Sequence, residues 1–231
     1  RAYAPRPLIP EAWRELTYDQ YRKIWFDGRN AVWEGSDAPQ RVDVFPPGLY
    51  FPQAIRTYVV EGDVAQPMLF DMAVFDTTDK FPEVPIDDTL GYSGLRLRAE
   101  LRQPGIYEEY AEFQGASYFR GIGTGLSARG LALKTGDPMG EEFPDFTHFW
   151  LERPATGAAT IVLHALLDSP SCTGAYQFEI TPGQPLRMEV TAEIFARETL
   201  THLGIAPLTS MFLFDDMDRQ RFDDFRPAVH D

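Results

Sequence analysis

The chain has 231 residues, 44% of them apolar, enough to bury a sizeable core and too many for a disordered chain. Its 35 acidic residues against 21 basic ones give a net charge of −14 with no basic stripe, which makes nucleic acid and an anionic membrane surface poor partners, so neither is expected. No apolar run approaches the roughly 20 residues of a spanning helix, so no membrane insertion is expected, and the single Cys172 excludes an intrachain disulfide, a cysteine zinc site and a C-x-x-C pair. The opening Arg1–Pro10 has neither the apolar stretch nor the cleavage site of a signal peptide, although an export signal already removed would leave no trace.

Gly and Pro together make up about a sixth of the chain, which suits short strands joined by turns. Near the N-terminus Thr17-x-x-Gln20 is a capping box, and Tyr21, Ile24 and Trp25 supply the apolar face of the helix it starts. Strands follow at Val42–Phe45, Ala54–Val60 and Met68–Phe75. From Leu95 to Arg102 apolar and charged residues alternate, the period of a strand with one wet face. Another strand is read at Tyr110–Phe119. The glycines of Gly121-Ile122-Gly123-Thr124-Gly125 lead into no long amphipathic helix, so they read as a tight connection and not as a dinucleotide loop. Phe149–Glu152 is a further strand, and Thr160–Leu167 is apolar enough for one buried on both faces. Tyr176–Thr181, the turn Thr181-Pro182-Gly183-Gln184 and Leu186–Phe195 form a hairpin. A short helix at Arg197–Leu203, stopped by Gly204, and a strand at Met211–Phe214 complete the reading. Strands outnumber helices about four to one, which gives an all-β protein of stacked antiparallel sheets. Leu95, Leu97, Leu101, Met188, Val190 and Ile194 are its expected buried positions.

The chemistry is narrower. His148, His164, His202 and His230 show no metal-ligand spacing, so neither a metal nor another cofactor is expected, and no G-x-S-x-G elbow is present. Carboxylates stand out in two places. Gly140–Trp150 interleaves Glu141, Glu142 and Asp145 with four aromatics, and Asp223–Asp231 sets acids beside Arg226 and His230. Acids held against aromatic walls are what glycoside hydrolysis needs, because a desolvated carboxylic acid protonates the leaving oxygen while a second carboxylate activates water. The competing reading packs Phe143, Phe146, Phe149 and Trp150 into the core.

Several blocks resemble one family. Phe113-Gln114-Gly115-Ala116-Ser117-Tyr118-Phe119-Arg120, Gly125 to Ala132, Gly140-Glu141-Glu142-Phe143-Pro144, Phe149-Trp150-x-Glu152-Arg153-Pro154 and Ala165 to Pro170 are similar to the periplasmic glucan biosynthesis proteins of Gram-negative bacteria, the OpgG/OpgD (MdoG/MdoD) family. Thr173-Gly174-Ala175-Tyr176, Ala206 to Phe212 and Leu16 to Arg22 fit as well, so the resemblance runs along the whole chain.

The resemblance implies a periplasmic protein that acts on β-1,2-linked glucans and works beside the glucan synthesis machinery. It also implies a large N-terminal antiparallel β-sandwich resembling the galactose mutarotase fold. The family continues well past Arg226-Pro227-x-x-His230-Asp231. Residues 1–231 are therefore expected to be the N-terminal portion of that sandwich, incomplete here, without the family's C-terminal immunoglobulin-like domain. Two functions fit: inverting hydrolysis of β-1,2-glucan, or non-catalytic glucan binding that assists synthesis, branching or export. By motif, Asp231 takes the place of general acid. Asp145 is chosen as the base over Glu141 and Glu142. Asp168 is a rival whose Leu-Leu-Asp-Ser-Pro setting also suits a local turn. Tyr118, Arg120, Arg129 and Trp150 are the expected sugar contacts, converging with Asp231 on one groove.

Overall fold

The structure, a computed structural model, describes residues 2–76, 78, 81, 83–122, 126–135, 140–208, 213–214 and 229–230, with the backbone alone at 126–129, 213–214 and 229–230. Two one-turn helices, α1 (Glu11–Arg14) and α2 (Tyr18–Tyr21), open the chain. After them come β1 (Trp25–Phe26), β2 (Gln40–Phe45), β3 (Arg56–Glu61), β4 (Val64–Met68), β5 (Phe75–Asp76), β6 (Gly94–Glu100), β7 (Tyr107–Gln114), β8 (Tyr118–Gly121) and β9 (Leu126–Arg129). The remaining strands are β10 (Leu131–Ala132), β11 (Asp145–Glu152), β12 (Ile161–Asp168), β13 (Cys172–Thr181), β14 (Arg187–Ala196), β15 (Gly204–Ile205), β16 (Leu213–Phe214) and β17 (Val229–His230). The protein is all-β.

Of the two large sheets, one has five strands in the order β2-β6-β7-β8-β9 and the other has six in the order β14-β13-β12-β11-β3-β4; β1 with β5, β10 with β15 and β16 with β17 form two-stranded pairs. All their pairings are antiparallel except β11 with β3. A parallel pair needs a crossover. Here the chain between β4 and β11 includes β6 to β9, so the crossover is itself most of the five-stranded sheet. That sheet lies over the six-stranded one on a shared core, in which Leu95, Leu97, Phe113 and Phe119 meet Phe146, Phe149, Leu163 and Phe178. Phe113 lies 5.0 Å from Phe178 and 5.7 Å from Phe149, ring centre to ring centre. A smaller core gathers Ile9, Trp13, Leu16, Ile24, Val44, Phe75 and Tyr92 beneath the N-terminal segment.

The alternating strands are found where the sequence puts them, with exceptions that have physical causes. Leu95 and Leu97 are buried, but Leu101 lies beyond the end of β6 and is 36% exposed. Met188 and Ile194 are half-buried and Val190 is 40% exposed, because β14 is an edge strand that the opposite sheet does not cover. Thr160–Leu167 is not buried on both faces; in β12 Ile161, Leu163, Ala165 and Leu167 are buried and the residues between them half-covered.

Met68–Phe75 is not a strand. Asp71 accepts a hydrogen bond from the Ala73 backbone N–H and caps a 3-10 turn, Met72–Val74. Tyr110–Phe119 is two strands folded back at Gly115 (φ 74°) and Ala116 (φ 42°). The Thr17 capping box forms, with Gln20 Oε1 accepting from the Thr17 N–H at 2.8 Å, but its helix lasts one turn, and Trp25 is exposed in β1. No helix forms at Arg197–Leu203, whose groups are drawn to other elements: Arg197 donates to Asp168 at 2.7 Å and the Thr201 carbonyl accepts from the Lys134 N–H. Gly204 pairs with Ala132 and caps no helix. Of the Met211–Phe214 strand, β16 covers Leu213–Phe214, and the first two residues lie outside the described ones.

The charged face of β6 is not simply wet. Asp43, opposite Arg96 on β2, is 1% exposed, and its carboxylate accepts from Arg96 Nε at 2.7 Å and Arg98 Nη2 at 2.7 Å. Removing the acid leaves the half-buried Arg98 guanidinium without its carboxylate and Arg96 with Glu109 alone, at 3.3 Å. Asp43→Ala is expected to destabilise the fold by about 3–5 kcal/mol, read as a lower denaturant midpoint. A change within the error of the wild-type curve would show that water replaces the carboxylate at no cost.

Candidate functional site

A cavity of about 220 Å³ opens where the Gly115–Tyr118 turn meets the start of β11. Phe113, Phe146 and Phe149 form its apolar floor, and Arg6, Gln114, Tyr118 and Asp145 bring polar groups to it. A local irregularity makes this possible. In a regular strand residues three apart face opposite sides. Phe146 and Phe149 nevertheless share the core, because β11 is bulged between Phe146 and His148. The bulge residue Thr147 is buried and spends its hydroxyl on the Leu166 carbonyl at 3.1 Å. Asp145 therefore stands at the cavity rim, next to the first ring of the core.

Arg6 fixes the Asp145 carboxylate, donating from Nη2 to Oδ2 at 3.0 Å, and is itself tied down by Nη1 to the Ala54 carbonyl at 2.8 Å. Gln53 donates back to the Arg6 carbonyl at 2.9 Å. On the other wall Gln114 Nε2 donates to Ser93 Oγ at 2.9 Å, and Ser93 donates to the Pro46 carbonyl at 2.7 Å. A ring floor with an anchored carboxylate, guanidinium and amide above it suits a ligand with apolar ring faces and many hydroxyls.

Of the sequence-expected site residues, Tyr118 and Asp145 come together at this cavity. Arg120 follows Tyr118 on β8, exposed and opposite Glu112, and does not line the cavity. The Arg129 backbone pairs with Tyr118, and its side chain is outside the described residues. Trp150 does not join them. Alternation on β11 turns it to the outward face, where its ring stacks on Tyr58 at 5.4 Å and His148 at 5.6 Å. Asp231 lies outside the described residues.

The rival acids have other work. Asp168 takes the Arg197 guanidinium at 2.7 Å, so it joins two strand ends instead of making the local turn expected. Glu142 accepts from Ser171 Oγ at 2.7 Å, the Ser171 N–H at 3.0 Å and Lys134 Nζ at 2.9 Å. Glu112, on the outward face of the five-stranded sheet, has its carboxyl pushed up by burial and by neighbouring Glu109, with Arg120 and Arg96 pulling the other way. Among the described residues no group of His, Cys, Asp and Glu is arranged to hold a metal. Sequence reasoning missed Arg6, Gln53 and Gln114. Gln114 belongs to the Phe113–Arg120 block, but the Arg6–Asp145 contact spans 139 residues and has no local signal.

Comparison with known proteins matches the chain from end to end. The family model described as "Periplasmic glucan biosynthesis protein, MdoG" matches residues 1–231. Glucans biosynthesis protein G of Vibrio cholerae serotype O1 is 46% identical over 228 residues, which cover 96% of this chain and 42% of that protein. Glucans biosynthesis protein G of Shewanella sp. (strain ANA-3) is 44% identical over 227 residues, again 96% of this chain and 42% of the relative. The chain thus spans less than half the length of these relatives.

The Glu142 cluster sets an acid limit. Burial alone would raise its pKa, but hydrogen bonds from Ser171, Ser169 and Lys134 overcome that and bring it from 4.5 to about 2. A carboxyl held below its ordinary value stabilises the fold above that value and stops doing so as it protonates. Stability should fall as pH drops from 4.5 towards about 2. Glu142→Gln should be less stable at neutral pH and lose less across that window, measured by thermal midpoints. Parallel losses in both proteins would show that Glu142 does not carry the effect.

Proposed function

The chain belongs to the periplasmic glucan biosynthesis protein family, and from that premise we propose that the protein it forms part of acts in the periplasm on glucose polymers during glucan biosynthesis. The cavity at Asp145 and Tyr118 receives a sugar ring. The polymer is β-1,2-glucan, and the reaction is its hydrolysis with inversion. Asp231 protonates the leaving oxygen and Asp145 serves the water on the other side of the ring, which is the division of labour inversion requires. Tyr118 holds the sugar ring in the cavity, Arg120 and Arg129 on the same hairpin meet the glucan beyond it, and Trp150 has no part in this reading.

The observation that carries it is the meeting of Asp145 and Tyr118, from two separate sequence blocks, over a floor of phenylalanine rings with Arg6 and Gln114 beside them. Burying several sugar hydroxyls is costly unless they find partners, and these groups supply donors and an acceptor around one ring-sized space. One observation favours the non-catalytic reading, in which the same cavity only binds glucan to assist synthesis, branching or export. The Asp145 carboxylate is already engaged by the Arg6 guanidinium at 3.0 Å, so one of its oxygens is committed to a structural contact and not turned to a water.

The full-length protein incubated with linear β-1,2-glucan should release shorter products. Asp145→Asn and Asp231→Asn should each cut that release by about 100-fold or more while binding stays nearly unchanged, because each keeps its shape and loses its proton-transfer group. Binding without any shortening by the wild type would favour the binding factor. Full cleavage by Asp145→Asn would move the base elsewhere.

A further inference from the structure

β7 carries a bulge of its own. Its pairing with β6 slips between Leu97 and Arg98, so that Leu97 stands opposite Ala111 and Arg98 opposite Glu109, with Tyr110 left over between them. Tyr110 and Ala111 are both buried, and the Tyr110 hydroxyl donates to the Gln40 side chain, which fixes the slip. In a regular strand Glu109 and Glu112, three residues apart, would face opposite sides of the sheet. The extra residue brings both to the outward face, where their carboxyl groups hydrogen-bond each other.

The charges around this pair form a row. Asp43 on β2, Arg96 on β6, Glu112 on β7 and Arg120 on β8 are successive cross-strand partners. The row leaves Glu112 short of donors. Asp43 takes Arg98 at 2.7 Å and one edge of Arg96 at 2.7 Å, and the other edge of Arg96 donates to Glu109 at 3.3 Å. Arg96 and Arg120 act on Glu112 through their charge alone. Gln114 and Tyr118 follow on one side of the row, Glu100 opposite Tyr107 closes the far end of β6, and the Arg129 side chain on β9 is outside the described residues. Two carboxylates in contact repel when both are ionised, and partial burial adds to that cost, so burial first and Glu109 next push the Glu112 carboxyl up from its ordinary 4.5. Any further segment laid over this face would bury the pair more deeply and strengthen the effect.

We propose that Glu109 and Glu112 hold one proton between them and work as a pH-sensitive latch on the β7–β8 hairpin. With the proton in place Glu112 is closed onto Glu109, as in the structure. When the proton leaves to solvent, the two carboxylates repel and Glu112 turns across to Arg120, tying β8 to β7. The latch lies one same-face step from Gln114 and Tyr118, at the root of the turn that walls the Asp145 cavity. It does not depend on what that cavity binds.

The test is the thermal midpoint of the full-length protein, of Glu112→Gln, of Arg120→Gln and of the double variant, at about pH 4 and about pH 7.5, on either side of the window in which the pair gives up its proton. A carboxyl raised above 4.5 contributes stability that is present below that value and lost as pH rises through its folded pKa. Glu112→Gln keeps the bond to Glu109 as an amide, so it should match the wild type at the lower pH and exceed it by about 2 °C or more at the higher one. Arg120→Gln should lower the midpoint only at the higher pH, and only where Glu112 is present. Glu109→Gln should flatten the pH dependence in the same way, and it carries the test if Glu112→Gln does not fold. A Glu112→Gln difference that is the same at both pH values, or a loss in Arg120→Gln that is indifferent to Glu112, overturns the latch.

Discussion

The arrangement depends on the aromatic cluster between the two sheets. Phe113 and Phe119 come from one sheet and Phe146, Phe149, Tyr176 and Phe178 from the other, with edge-to-face contacts of 5.0 to 5.9 Å along Phe113–Phe178, Phe119–Phe178, Phe146–Tyr176 and Phe146–Phe178. Each such pair adds about 0.5–1.5 kcal/mol beyond the area it buries, so the cluster holds the facing strands in one register. It also imposes a geometric demand. Phe146 and Phe149 both belong in it, and a regular strand cannot deliver both. The bulge at Thr147 satisfies that demand, and its by-product is the position of Asp145, at the edge of the core where Arg6 reaches it.

The Gly140–Trp150 block shows how this constraint divides one short sequence among different environments. Glu142 is consumed by Ser171 and Lys134 and anchors the approach to β11. Glu141 and Phe143, on either side of it, line a separate, more open hollow together with His202 and Leu203. Asp145, Phe146 and Phe149 build the first cavity, while His148 and Trp150 stack with Tyr58 on the outward face. The aromatic residues are thus both core and surface. The core-packing reading holds for Phe146 and Phe149, while Asp145 stands at the wall of the cavity beside them.

Much of the fold was legible because period-two alternation records burial directly. The Leu95–Ala99 and Tyr176–Ile180 rows face the core as their spacing says, and the Thr181–Gln184 turn joins β13 to β14. Alternation says nothing about what covers a face. Val190 therefore repeats the pattern of a buried residue on an edge strand, and Leu101 continues it past the last paired residue. The Arg197–Leu203 helix failed because local propensity is weak against tertiary bonds such as Arg197 to Asp168. At the site, Tyr118 and Asp145 were reachable through resemblance. Arg6 was not, since nothing near residue 6 marks a partner on β11. Trp150 lies on the outward face because it alternates with the buried Phe149 and Leu151, and a motif resemblance carries no information about which face a residue takes.

The central claim is that the bulged β11 and the Gly115–Tyr118 turn place Asp145 and Tyr118 at one sugar-binding cavity. A crystal structure of the full-length protein soaked with a β-1,2-gluco-oligosaccharide tests it most directly. The account predicts a glucose ring over the phenylalanine floor, within hydrogen-bond reach of Asp145 and against Tyr118. Sugar found instead on the outward face, along Tyr58 and Trp150, with the Asp145 cavity filled only by water, would contradict it.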